Sequence, residues 1–300
     1  MIIIYKEWRM FRKTALALKK RADHKLNTQT KKACDLIEVV VDVLRQQDDL
    51  SPNNQLVTEH LSKLVETLQD SVANGYSDQL ISDLTLLDKA SELSALCGSA
   101  ECEMEKFWAK EFISHADKLG KPLQKGDLKK FWYQAEYESL CRAEWDIISS
   151  CNLKDEINQI CFMGSGALPL TAILAAYDNS NLKIKCVDFD KEACELSKQL
   201  IEALGLSNQI EVINQAALDY QPSKKELIIC ASLLVNKAGV YEDLLQKGAD
   251  YMMVRDAEGV YQFLYEPAQK PSKDFEKLAQ TKKTEAHINT SILYRIKRKL

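Results

Sequence analysis

The sequence is short of the features that mark the extreme classes of protein. Ten glycines and six prolines in 300 residues, with 46% hydrophobic residues, exclude collagen-like, low-complexity and disordered chains. No apolar run approaches the ~18 residues that a membrane-spanning helix needs. The opening Met1-Ile2-Ile3-Ile4-Tyr5-Lys6-Glu7 breaks into charge too early for a secretion signal, so no membrane partner and a cytosolic (cytoplasmic) location are expected. Charge of one sign is also missing: 40 Lys+Arg against 44 Asp+Glu leave a net charge of -4. No nucleic-acid partner is expected from so weak a field, although Arg295-Ile296-Lys297-Arg298-Lys299 is locally basic. The nine cysteines are an odd number without a Cys-x-x-Cys pair, and they read as small buried hydrophobes. His24, His60, His115 and His287 show no metal-ligand spacing, so no metal is expected.

What glycine there is divides the chain. The first is Gly75 and only four of the ten precede residue 150. A helical bundle is therefore expected over 1–150. Its helices are read near Lys31–Gln47, from an N-cap at Ser51-Pro52 to Asn74-Gly75, Ser77–Leu96, Ala100–Ala116 and Asp127–Ser149. Over 151–300 short β-prone runs alternate with helices. Ile157–Phe162, Leu182–Asp188, Ile210–Asn214, Leu227–Ser232 and Tyr251–Val254 interleave with Leu168–Tyr177, Lys191–Leu204 and Tyr241–Lys247, and Ile288–Ile296 reads as a closing edge strand. The fold class is α/β, with a mostly parallel sheet covered by helices and ligands at the carboxyl ends of its strands.

The first strand runs into Gly164-Ser165-Gly166, where bare backbone lets a nucleotide approach. Asp188 ends the second strand 22 residues after Gly166, placed for its carboxylate to accept both ribose hydroxyls. Capping the next helix is the competing role for Asp188, and Asp190 competes for both. The loop lacks the third glycine of the dinucleotide fingerprint, which suits S-adenosylmethionine, a ligand without phosphate, better than a pyrophosphate.

Gly164-Ser165-Gly166-Ala167-Leu168-Pro169-Leu170-Thr171 resembles the Gly-Ser-Gly-Pro-Leu-Pro-Leu-Thr segment of nicotianamine synthases. Further segments resemble that family in order: Leu96-Cys97-Gly98-Ser99-Ala100-Glu101 with Glu105, then Phe131-Trp132-Tyr133 through Tyr137. Arg255-Asp256-Ala257-Glu258-Gly259 with Phe263-Leu264-Tyr265, and Asn289-Thr290-Ser291-Ile292, complete the series. The likeness covers about Ser91 to Lys297. It implies a helical amino-terminal domain (1–150) contributing the acceptor site, and a class I methyltransferase-like Rossmann domain (151–300) that binds S-adenosylmethionine as co-substrate. The implied reaction moves the 3-amino-3-carboxypropyl group to a small-molecule amine and releases methylthioadenosine, in metallophore biosynthesis. Histidine or another aminobutyrate unit is the acceptor that the family implies. Ala167, Asp256, Glu258 and Trp132 depart from the family pattern and leave the acceptor open.

An ammonium has no lone pair, so the acceptor must lose a proton to a general base. Glu101 is the candidate. It shares a helical face with Glu105, a substrate-binding candidate, whereas an acidic, solvated helix start is the alternative for both. Tyr133 matches a family tyrosine whose hydroxyl serves the reacting amine, Tyr137 lines the substrate, and packed aromatics are the alternative. Arg255 can grip a substrate carboxylate, or pair with Asp256 or Glu258. Gly164, Ser165, Gly166, Asp188, Phe189, Ala216, Ala231 and Ser232 are the candidate donor-binding residues. A plain methyltransferase and a non-catalytic nucleotide-binding protein are the rival readings. Residues 1–90 carry no such motif and can wall the cleft, form a homodimer surface or lengthen the bundle.

Overall fold

The computed structural model describes residues 26–266, 269–282 and 288–297. His24, His287 and Arg298-Lys299 lie outside the described residues.

Residues 26–45 form helix α1, which buries Ala33, Cys34, Ile37, Val40, Val41 and Leu44 at helical spacing. Helix α2 (Gln55–Ala73) begins later than Ser51-Pro52 suggests, because Asn54 takes the capping role and accepts from the N–H groups of Leu56 and Val57. Ser51 caps a preceding turn instead, accepting from Asn53 N at 3.3 Å. Gly75, at φ +72°, ends α2 as expected.

The next helices divide differently from their sequence reading. α3 (Ser77–Ile81) stops after five residues, where the Ser82 hydroxyl bonds back to the Gln79 carbonyl and competes with the helical ladder. α4 (Leu84–Leu119) then runs 36 residues without a break. Gly98 sits inside it. A Cβ there would stand 3.0 Å from Leu233, so this glycine serves close packing against the loop after the fourth strand and is not a stop signal. Lys125–Lys130 form a 3-10 turn and α5 spans Gln134–Ser150, which leaves Phe131-Trp132-Tyr133 as a short link.

From residue 159 the chain builds one seven-stranded sheet. β1 (Gln159–Met163), β2 (Lys183–Asp188), β3 (Ile210–Asn214), β4 (Glu226–Cys230) and β5 (Tyr251–Ala257) are followed by β6 (Phe275–Gln280) and β7 (Asn289–Ile296). The order is β3-β2-β1-β4-β5-β7-β6, with β7 antiparallel to both neighbours. The expected closing edge is therefore internal, and β6 is the edge. β6 escapes a sequence reading because a register shift between Lys277 and Ala279 interrupts its alternation. α6 (Leu170–Asp178), α7 (Lys191–Ala203) and α8 (Lys237–Gln246) complete the crossovers.

Three hydrophobic cores result. One joins Ala109, Phe112, Phe131, Cys141 and Ile148 to one face of the sheet, and another fills the opposite face around Cys161, Ile228 and Tyr241. The third packs α1–α4 against Ala257, at the end of β5, and Val260 to Leu264 beyond it. Helix α4 thus contributes to two cores and spans the carboxyl ends of the strands. Seven of the nine cysteines are buried and all nine are free. Among the described residues no helix is long and apolar enough to cross a membrane.

Candidate active site

The first crossover turn is built on backbone that only glycine adopts without cost. Gly164 and Gly166 have φ of +74° and +68°. Gly164 N donates to Val187 O at 2.9 Å, and Gly166 N donates to Asp188 Oδ2 at 2.9 Å. Asp188 Oδ1 accepts from Asp190 N at 2.9 Å, so this buried carboxylate clamps the turn. The helix cap belongs to Asp190, which accepts from Glu192 N and Ala193 N at the start of α7. Asn214 at the end of β3 donates to the carbonyls of Asp188 and Phe189, both at 3.1 Å. The Phe189 ring is 69% exposed at the rim. Beyond β4, Ala231 N donates to Met163 O at 3.0 Å, and the Ser232 carbonyl accepts from Lys237 Nζ at 2.7 Å.

Helix α4 lowers two carboxylates over this turn. Glu105 accepts from Ala167 N at 3.2 Å, and its carboxylate occupies the space that a Cβ on Gly166 would need. Burial, then the charges of Glu101 and Asp188, push the Glu105 carboxyl well above its ordinary range, against the pull of the backbone N–H groups. Glu105 thus touches the glycine turn while still lining the cavity. Glu101, one turn earlier, accepts from the Tyr265 hydroxyl. Burial raises its pKa, while that hydrogen bond and the Arg255 charge restrain the rise.

Tyr133 and Tyr137 face the same space from the link and from α5. Phe131 sets both rings, its centroid 5.8 Å from Tyr133 and 6.2 Å from Tyr137. Burial, and then the Glu101 charge, raise both phenols, so they stay neutral hydrogen-bond donors near neutral pH. For Tyr133 the Trp132 side chain partly opposes that rise.

Arg255 pairs with neither Asp256 nor Glu258. Its Nε and Nη2 donate to the two oxygens of Glu144 at 2.9 and 3.0 Å, and Nη2 also reaches Thr171 Oγ1 at 3.0 Å. Ser291 Oγ donates to the same Glu144 at 2.6 Å. The reason is geometric: consecutive strand residues point to opposite faces, whereas Glu144 arrives from α5 on the face that Arg255 occupies.

Glu101, Glu105, Tyr133, Tyr137 and Arg255 share one cavity of about 600 Å³ with Gly164, Ser165, Gly166, Asp188, Phe189, Ala216, Ala231 and Ser232. That volume suits a small-molecule substrate pair. Sequence reasoning gave no site role to Glu144, Lys106 or Tyr265, the last of which it named only within a family-like segment. Glu144 was detectable as a charge among the buried α5 positions Leu140, Cys141 and Ile148. Lys106 joins α4 to α7 through Asp190 at 2.9 Å and Glu192 at 3.4 Å, a contact with no sequence signal. Among the described residues no group of three His, Cys, Asp or Glu side chains is arranged for a metal ion.

A family model described as nicotianamine synthase protein matches residues 22–300. A nicotianamine synthase of Solanum lycopersicum is 30% identical over 220 residues, which are 68% of this chain and 66% of its own. An L-histidine 2-aminobutanoyltransferase of Yersinia pestis is 26% identical over 217 residues, 67% of this chain and 71% of its own. A solved structure of a mutant of MtNAS in complex with S-adenosylmethionine superposes with a TM-score of 0.69 at 18% identity, covering 88% of this chain and 97% of that one. The chain spans between about half and two thirds of the length of the rice and tomato synthases that it matches, 55% and 66%. With the family model matched over nearly its whole length, the chain belongs to the nicotianamine synthase family.

Proposed function

We propose that this protein transfers the 3-amino-3-carboxypropyl group of S-adenosylmethionine to a small-molecule amine and releases methylthioadenosine. The single observation that carries this reading is the shared cavity, which Glu101 and Tyr133 line together with the glycine turn and Asp188. The solved MtNAS complex with S-adenosylmethionine, and the aminobutanoyltransferase activity named for the Yersinia relative, support it.

Asp188 holds the ribose hydroxyls of the donor, Phe189 covers the adenine, and the backbone of Ala216 borders it. Gly164, Ser165 and Gly166 let the chain of the donor pass close to the backbone, while Ala231 and Ser232 leave room for the amino acid arm. The sulfonium activates three neighbouring carbons, so the position of the nucleophile selects the product. The amine nitrogen attacks the methylene carbon next to sulfur in the aminobutyrate arm. A C–N bond forms, the C–S bond breaks, and its electron pair neutralises the sulfonium. Glu101 takes the amine proton, a role that its raised pKa suits. Tyr133, a neutral phenol, orients the amine through its hydroxyl.

Residues 1–150 supply the acceptor side of the cleft and 151–300 the donor side. The free, mostly buried cysteines favour a reducing compartment, the cytosol. The product carries amines and carboxylates suited to metal chelation, which supports a place in metallophore synthesis. Incubation with S-adenosylmethionine and an amine panel, with mass identification of the adenosine by-product, tests the reading. Methylthioadenosine supports it, and S-adenosylhomocysteine would reassign the protein as a methyltransferase.

A further inference from the structure

Lys237 is buried at the first position of α8, outside the lining of the cavity. Two costs attend that place. Burial takes an ammonium out of water, and the amino end of a helix repels a cation through its dipole. Burial lowers the pKa of this amine even though the charges of Asp256 and Glu266, and the thiol of Cys230, favour its protonated form.

The ammonium ties two segments of the chain together. Nζ donates to Ser232 O at 2.7 Å, in the loop after β4, and to Glu266 O at 3.3 Å, in the chain after β5. Each segment leads to the site. The loop after β4 borders the glycine turn, since Ala231 N donates to Met163 O and a Cβ on Gly164 would meet Ala231 at 3.5 Å and Leu234 at 3.7 Å. The same loop sends Leu233 onto α4 at Gly98, one turn before Glu101. In the other segment Glu266 follows Tyr265, whose hydroxyl donates to Glu101. One buried cation thus joins the loop at the donor turn to the segment that holds the base.

Glu101 has other charged and titratable neighbours. Arg255 of β5 restrains its pKa together with Tyr265. Cys97, Cys102 and Glu105 on α4, and Tyr133 and Tyr137 at the amino end of α5, feel its charge.

We propose that Lys237 is a positioning residue for the transfer: its ammonium fixes the donor loop and the Tyr265 segment to each other, and so holds Glu101 in register with the donor. The inference rests on the transfer reading above and deepens it.

The test uses the full-length protein with S-adenosylmethionine and histidine, alanine, glutamate or no acceptor. Methylthioadenosine release is followed against pH with the pairing that the parent turns over fastest. Because the Tyr265 hydrogen bond holds the Glu101 pKa down, Tyr265→Phe should move the acidic limb of the profile to higher pH. Lys237→Met, or Lys237→Gln should that variant not fold, should move the limb in the same direction. It should also lower turnover at least ~10-fold, the scale on which small misplacements of reacting groups act. Combined with Tyr265→Phe, it should add no shift to that of Tyr265→Phe alone. Shifts that add in the double variant mark a plain charge effect of the ammonium and overturn the inference. A limb that stays in place in the Lys237 variant, whatever the loss of Tm or turnover, marks a structural residue and overturns it too. Either result leaves the transfer reading standing, whereas no methylthioadenosine from the parent with any pairing overturns both.

Discussion

Arg255 and Glu144 form a bidentate pair, at 2.9 and 3.0 Å, between interior strand β5 and helix α5 of the amino-terminal half. Both are buried; burial disfavours the Arg255 guanidinium, but the charge and hydrogen bonds of Glu144, with smaller help from Cys141 and Tyr137, together raise its pKa. Removal of one partner strands the other. Glu144→Ala should cost about 3–5 kcal/mol in denaturant unfolding, whereas replacing both residues by apolar ones should cost much less. Arg255 also restrains the pKa of Glu101. In Arg255→Met that restraint is gone, so the acidic limb of the turnover profile should move to higher pH, and Arg255→Lys should keep it near its original place.

Glu101, Glu105 and Asp188 bring three carboxylates to one cavity, and the first two have pKa values raised by burial. The folded state therefore holds protons that the unfolded state has released. Stability contributed this way is complete below the ordinary carboxylate pKa of 4.5 and falls as pH rises through the raised folded values. Glu105→Gln keeps an oxygen for Ala167 N and removes the charge. Thermal melts of the unliganded variant should show a higher Tm than the parent at pH 7 and little difference at pH 4. Equal Tm at pH 7 would contradict the electrostatic account of this cluster.

Gly166→Ala places a methyl group where the Glu105 carboxylate sits, at a φ of +68° that a side chain rarely adopts. Strain of about 1–2 kcal/mol is expected, along with displacement of Glu105 from the turn. Calorimetry should show donor affinity reduced at least ~10-fold, a tenfold loss corresponding to ~1.4 kcal/mol.

Binding and chemistry separate in two variants. Glu101→Gln should reduce turnover by roughly 100-fold or more, the scale of general-base catalysis, with donor affinity within a few-fold. Asp188→Ala should instead weaken donor binding, because it removes the ribose partner and frees the N–H of Gly166 and of Asp190. Unchanged turnover in Glu101→Gln would remove Glu101 from the base role.

Much of the sheet was legible in the sequence because its strands are short apolar runs bounded by turn residues, and Ile210–Asn214 matches residue for residue. The glycine turn and Asp188 were legible because their spacing follows from a strand, a turn and a crossover helix. The path of α4 was not. Gly98 reads locally as a break, and only its contact with Leu233, far along the chain, explains why it lies within a helix. Edge strand β6 lacked a clean alternation, since it is bulged and buries only Phe275. The partner of Arg255 was hidden for a related reason: Glu144 precedes it by 111 residues, and pairing at that distance leaves no local pattern. Glu101 became readable through a motif and not through its charge, which resembles an ordinary acidic helix face.

The fate of the carbon chain tests the account most directly. S-adenosylmethionine labelled with carbon-13 in the aminobutyrate arm alone, and separately in the methyl group alone, is turned over with a competent amine acceptor. The account predicts the arm label in the acceptor adduct and the methyl label in methylthioadenosine. Methyl label in the acceptor, with the arm label left in S-adenosylhomocysteine, would contradict it.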